Sequence, residues 1–113
     1  MIFALATDEN TLFVFASVTD AIAYCEGIDV EDGGWSFWDH AGCALDAEFL
    51  IPNHRNGFTV GNGSYRLVPM SDKASLRDSL TSAWQIGDNA YFPTLSAVRA
   101  HLASVAQVSQ HGA

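Results

Sequence analysis

Lysine and arginine are missing from the first 54 residues of this 113-residue chain, which holds only five of them in all. The same 54 residues carry ten carboxylates: Asp8, Glu9, Asp20, Glu26, Asp29, Glu31, Asp32, Asp39, Asp46 and Glu48. The last 59 residues carry three, so the net charge of −8 divides into −10 for the front half and +2 for the back half. Such segregation of like charge destabilises a compact chain. A strongly basic partner docked on the acidic surface would offset that cost.

Other shortages exclude whole classes of function. A nucleic-acid surface needs clustered lysine and arginine for phosphate contacts, so we expect no nucleic-acid partner. No apolar run is long enough to span a bilayer, and the N-terminus lacks a basic segment ahead of its apolar residues. We therefore expect no membrane partner and a cytoplasmic location. Only Cys25 and Cys43 are present, and both are expected to be buried, reduced thiols.

Motifs for catalysis or metal binding are also lacking. Residues 29–34 look superficially like a calcium loop, but the twelfth position counted from Asp29 is His40 instead of a bidentate Glu. The histidines are scattered, and neither a zinc-ligand pair nor a GxSxG nucleophile elbow occurs. The sequence thus predicts no cofactor, no metal and no enzymatic activity. Carboxylates that converge in a cleft for acid–base chemistry remain an open alternative.

What is present predicts one α+β domain over residues 1–113. Apolar residues make up 49% of the chain and charged residues 16%, which is typical of a folded globular domain. Residues 1–6 with 11–16, and 35–39 with 43–51, are predicted to form two hairpins. Ser17 is expected to cap a helix between them, and residues 29–34 to form an acidic loop after it.

A short strand pair, 58–60 with 65–68, and two C-terminal helices are predicted to follow. The first helix is expected over about 72–86, capped by Ser71 or Asp72, and the second after Pro93. The expected architecture is a mostly antiparallel sheet built from two hairpins around one helix, in the order ββαββ, with helices on one face.

The third predicted strand leaves two arrangements open for Trp38. If Trp35 and Phe37 face the core, Trp38 is an exposed indole beside Asp39 and the acidic loop, and it would make a contact hot spot for a charged partner. If the C-terminal helices cover the other face of the sheet, Trp38 is buried. The first arrangement makes Trp38 and Asp39 candidate partner-binding residues.

Residues 12–21 (LFVFASVTDA) and 27–33 (GIDVEDG) combine a strand, a serine-led helix and an acidic turn before an aromatic strand. Over residues 1–50 this pattern resembles the immunity proteins of bacterial polymorphic and contact-dependent growth inhibition toxins. The resemblance implies stoichiometric neutralisation of a cognate toxin C-terminal domain, often a basic nuclease, with contacts from Asp29, Glu31 and Asp32. A small-ligand-binding or regulatory domain with an aromatic pocket is the alternative.

Overall fold

The computed structural model describes residues 1–55 and 60–111. The strands are β1 (Ile2–Ala6), β2 (Thr11–Phe15), β3 (Trp35–Asp39), β4 (Ala44–Ile51), β5 (His54–Arg55), β6 (Val60–Gly61), β7 (Ser64–Pro69) and β8 (Gln85–Ile86). The helices are α1 (Val18–Tyr24), α2 (Gly27–Glu31), α3 (Leu76–Ser79) and α4 (Leu95–His111), and Leu80–Ser82 form a 3-10 turn.

Six of these strands form one sheet in the order β7-β4-β3-β1-β2-β8. Its pairings are antiparallel except for β2 with β8, while β5 and β6 form a separate ribbon. The expected α+β class with a mostly antiparallel sheet is confirmed. No described helix has the length and apolar character needed to cross a membrane.

The first hairpin and the start of α1 follow from local sequence. Asn10 adopts φ +53° in the turn between β1 and β2, a conformation that asparagine tolerates better than most residues. The Ser17 hydroxyl oxygen accepts a hydrogen bond from the backbone N–H of Asp20 at 3.1 Å, so the predicted cap is confirmed.

Two short helices, not one, separate the hairpins. The first helix ends at Tyr24, and α2 begins at Gly27, where a Cβ atom would lie 2.6 Å from the Asn53 side-chain oxygen. Asp29 and Glu31 therefore lie in α2, and Asp32 follows it as the C-cap. The acidic segment predicted as a loop is helical in its first half, and the observed order is ββααββ.

The region 72–86 is not the single helix that its apolar spacing suggests. The short α3 is capped by Ser75, whose hydroxyl oxygen accepts from the backbone N–H of Asp78 at 3.2 Å. Beyond the 3-10 turn the chain becomes extended, because β8 pairs with β2 and the Gln85 amide donates to the Thr11 hydroxyl at 2.7 Å. Pairing with a distant strand thus outweighs local helical periodicity.

The predicted strand pair 58–60 with 65–68 is also different. Val60 pairs with Arg55 in the small ribbon, whereas residues 65–68 pair with β4. Phe58 and Thr59 lie outside the described residues.

Helices cover both faces of the sheet, so the expectation of helices on one face is wrong. One side, the closed face, carries Phe3, Leu5, Leu12, Trp38 and Ala44, which pack beneath Leu76, Leu80, Ala83, Val98 and Leu102 of the C-terminal segment. The other, the open face, carries Ile2, Ala4 and Phe37, which pack beneath Ala21 and Cys25.

Of the two arrangements left open for Trp38, the structure shows the buried one, so its assignment as an exposed partner-binding residue is wrong. Its side chain is only 4% exposed, and its indole N–H donates to the carbonyl of Ala74 at 2.9 Å. The C-terminal segment covers the face on which this indole lies, so both Phe37 and its neighbour Trp38 are core residues.

Candidate interaction site at the acidic end of the sheet

A surface depression of about 410 Å³ lies where β1 ends and β3 begins. Four carboxylates line it from two separate segments: Asp8 and Glu9 from the turn after β1, and Asp29 and Asp32 from α2 and its C-cap. Trp35, the first residue of β3, lines it as well. We call these five residues the acidic depression.

Backbone hydrogen bonds hold the two acidic segments together. Thr7 donates from its N–H to the carbonyl of Gly34 at 3.0 Å and from its hydroxyl to the carbonyl of Gly33 at 2.9 Å. The N–H of Gly34 donates to the carbonyl of Asp29 at 2.8 Å. Gly33 adopts φ +82°, which a side chain would strain. The carboxylates therefore stand on a well-connected backbone.

One cation lies next to these carboxylates. A terminal nitrogen of Arg55 lies 2.9 Å from Asp32 and 3.5 Å from Glu31, and the hydrogen bond to Asp32 is the main cause of the raised pKa of this guanidinium. The arginine also offsets two negative charges at the C-terminal end of α2, where the helix dipole disfavours them. Among the described residues, Asp8, Glu9 and Asp29 have no ion pair.

An aromatic contact crosses β1 on the open face. Phe13 on β2 and Trp35 on β3 lie on either side of this strand, and their ring centroids are 5.4 Å apart, edge to face. The contact is possible because β1 presents only Ala4 opposite Phe13 and Ala6 opposite Trp35. Two small side chains on the middle strand thus allow the outer aromatic rings to meet.

Tyr24 from α1 completes this group. Its ring centroid lies 5.4 Å from those of Phe13 and Phe15 and 5.9 Å from that of Trp35. We call Phe13, Phe15, Tyr24 and Trp35 the aromatic cluster. Tyr24 is 56% exposed, and because Trp35 belongs to both groups, the aromatic cluster adjoins the acidic depression.

The five residues predicted for partner binding do not form one site. Asp29, Glu31 and Asp32 lie together on and just after α2. Asp39 is at the opposite end of β3, about 13 Å from Trp35 at the usual rise of a strand. Its carboxylate accepts from the N–H groups of Ala41 and Cys43, at 2.9 Å each, and so shapes the turn into β4.

Sequence patterns alone missed Asp8, Glu9, Tyr24 and Trp35 as parts of one surface. The available signal was the pair of alanines at alternate positions of β1, flanked by strands with aromatic residues at alternate positions. That signal becomes informative only once the register of β1 with β2 and β3 is known.

The two thiols differ in environment. Cys25 is fully buried, and burial, followed by the negative charge of Asp29, raises the pKa of its thiol to about 12. Tyr65 donates its hydroxyl to the Cys25 carbonyl at 2.6 Å, and burial raises the pKa of this phenol too. Cys43 is exposed, so the expectation of two buried thiols is only half right. At neutral pH the Cys25 thiol is protonated and is not an activated nucleophile.

In the part of the chain that the structure describes, no three His, Cys, Asp or Glu side chains lie close enough to hold a metal ion. Ionised carboxylates are hydrogen-bond acceptors only, so the acidic depression suits lysine and arginine donors. Comparison with protein-family models, curated proteins and solved structures finds no match to this chain.

Proposed function

We propose that this chain is an immunity protein that neutralises a cognate toxin C-terminal domain by one-to-one occlusion of a basic surface. The observation that carries the proposal is the acidic depression beside a partly exposed aromatic cluster. This arrangement agrees with the resemblance of residues 1–50 to immunity proteins.

The charge arrangement favours a basic macromolecular partner over a solvated surface alone. Three carboxylates of the acidic depression, Asp8, Glu9 and Asp29, have no ion pair within the described residues. The chain as a whole carries a net charge of −8. Fields of this kind raise the association rate with an oppositely charged partner by about 10- to 1000-fold and weaken with added salt.

The aromatic cluster supplies what charge alone does not, namely apolar area that is buried on contact. Tyrosine and tryptophan are favoured anchors because they bring large area with little side-chain entropy to lose. Tyr24 is already held against three other rings, so its ordering cost on binding is small. Trp35 carries the contact surface from the aromatic cluster into the acidic depression.

The test is co-purification of the tagged chain with the C-terminal toxin domain encoded directly upstream of its gene. We expect a one-to-one complex without toxin activity. Reversing Asp8, Glu9 and Asp29 to lysine should lower the association rate constant about tenfold or more at low salt. These residues have no described ion pair to lose, so the fold should be retained.

The matched control reverses the three carboxylates of the back half, Asp72, Asp78 and Asp88, all of them exposed. It makes the same change in net charge at another place. Equal loss of rate in the two triple variants would show that only net charge matters and would remove the acidic depression from the interface. If no complex forms with the wild-type chain, the immunity function is rejected.

A further inference from the structure

The large sheet is nearly split between β3 and β4. These strands are paired at only two positions, Phe37 with Leu45 and Trp38 with Ala44. By contrast, β1 pairs with β3 at five positions and β4 with β7 at six. On the N-terminal side of Phe37, toward Trp35, the two strands separate. An open cleft of about 640 Å³ lies between them and is lined by residues of both strands.

The edge that β3 turns toward the cleft has free backbone groups. In an antiparallel ladder, the N–H and C=O groups of successive residues point to opposite sides. Thr7, the residue after β1, donates its N–H to the carbonyl of Gly34, the residue before β3. With the observed register, even-numbered residues of β3 therefore bond to β1. The N–H and C=O of Trp35 point the other way, toward β4. No β4 residue is paired with Trp35 in the described part of the chain.

The facing edge of β4 is arranged in the same way. The N–H of Met70 donates to the carbonyl of Ala44, so the bonds to β7 fall at even-numbered residues of β4. Ala47 and Phe49 therefore turn their N–H and C=O groups into the cleft. The N–H of Ala47 donates instead to the Asp46 carboxylate at 2.9 Å, which takes the place of an acceptor on a neighbouring strand.

The side chains around the cleft alternate in character. On the open face they are apolar, with Trp35, Phe37 and Phe49 among them, whereas Ser36 and Asp46 face the other side. The carboxylates of Glu31 and Asp46 stand at the cleft with side chains 49% and 39% exposed, each paired with one cation. Lys73, the cation paired with Asp46, also lines the cleft. An extended segment with alternating apolar and basic side chains complements this lining in shape, and its positive charge is attracted by the net charge of −8 on the chain.

We propose that the cleft between β3 and β4 binds an extended basic segment of the partner protein as an added strand. The segment completes the interrupted ladder at Trp35, Ala47 and Phe49, and its C=O replaces the Asp46 carboxylate at the N–H of Ala47. The volume is in the usual range for ligand sites, about 300–1000 Å³. That the segment belongs to a toxin rests on the proposed function, whereas the cleft itself does not.

The probe is the peptide acetyl-Val-Lys-Val-Lys-Val-amide, titrated into the full chain and followed by tryptophan fluorescence and amide hydrogen exchange. We expect saturable binding with Kd below about 1 mM. The amides of Trp35 and Phe49 should become protected. The same peptide N-methylated at both lysine amides keeps its charges but loses backbone donors on one edge, and it should bind about tenfold more weakly or worse.

Two variants separate the cleft from general charge effects. Ala47→Arg places a long side chain in the cleft and should abolish peptide binding, whereas Ala103→Arg on the exposed side of α4 adds the same charge and should leave binding unchanged. Asp46→Asn keeps the acceptor for the N–H of Ala47, and it should weaken binding severalfold and reduce its salt dependence.

Absence of saturable binding at about 1 mM peptide overturns the proposal. So does equal affinity for the N-methylated peptide, which would indicate a side-chain pocket without strand addition. A toxin complex that survives Ala47→Arg, together with failed peptide binding, rejects the cleft and keeps the immunity function. Peptide binding without any toxin complex keeps the cleft and rejects the immunity function.

Discussion

The two faces of the sheet are covered by helices of very different length. The closed face lies under α3 and the 17-residue α4, and its Phe3, Leu12 and Val98 are completely buried. The open face lies under helices of seven and five residues, which leave Tyr24 and Trp35 in partial contact with solvent. Similar aromatic residues thus serve as core on one face and as accessible surface on the other, depending on how much of the sheet the covering helix reaches.

Charge follows the same division. The helices over the open face carry three carboxylates, Asp20, Asp29 and Glu31, and no basic residue. Those over the closed face carry one carboxylate, Asp78 of α3, together with Arg77 and Arg99. A surface that is incompletely covered and also negatively charged is better suited to binding a basic partner than to packing against more of the chain's own apolar residues. The comparison therefore predicts that stability resides mainly on the closed face and binding mainly on the open face.

The largest expected effect comes from removing matched aromatic rings from the two faces. Phe3→Ala should lower the free energy of unfolding by about 3–5 kcal/mol, because this ring is fully buried against Phe92 and His101. Tyr24→Ala should cost about 1 kcal/mol or less, since more than half of that residue is exposed. Urea denaturation measures both. Equal losses would show that the open face is core as well, and would break the comparison.

Alkaline pH tests the buried part of the open face. The Cys25 thiol has a pKa raised from 9.0 to about 12, so the folded state favours the protonated form. This contribution is fully present below pH 9 and is lost as the pH rises toward 12, and we expect a loss of about 2 kcal/mol by pH 10.5. Tyr65, whose pKa is also raised, acts in the same direction.

The control for this pH dependence is Cys25→Ala, which removes the thiol and leaves the phenol of Tyr65 in place. Urea denaturation at pH 7, 9 and 10.5 should show a shallower alkaline decline for the variant than for the wild type. Identical declines would mean that the thiol does not contribute, and that Cys25 is less well shielded than its burial indicates.

The smallest effect on stability is expected from the arginine next to the acidic depression. Arg55→Gln removes ion pairs whose side chains are about half exposed and therefore screened by water, so the urea midpoint should hardly change. The same change makes the depression more negative and should increase the association rate with a basic toxin domain at low salt. Stopped-flow mixing at low and high salt, beside urea denaturation, would sharpen the division between stability and binding. A slower association would indicate that Arg55 itself contacts the partner.

Much of the local structure follows from short segments of sequence. The Ser17 cap and the bounds of β3 are confirmed, because each depends on residues within a few positions of one another. The helix predicted over 72–86 is wrong where residues 85–86 pair with β2, more than 70 positions away. Local periodicity carries no information about such a partner.

The candidate site shows the same limit. Asp29, Glu31 and Asp32 are close in sequence and are also close in space. The sequence predicts Trp35 and Trp38 on one strand, and this is confirmed. Alternation along a strand does not say which face of the sheet is covered by the longer helix. The C-terminal segment buries Trp38, and the shorter helices leave Trp35 accessible.

By itself, the sequence determined the α+β class, the strong acidity of the front half and the local signals that begin its helices and strands. These properties depend on composition and on neighbours along the chain. Only the tertiary structure decided that Asp8 and Glu9 meet α2, that Phe13 reaches Trp35 across two alanines, and that β3 separates from β4. Each of these depends on strand register and on which helix covers which face, and both are set by contacts between residues far apart in the chain.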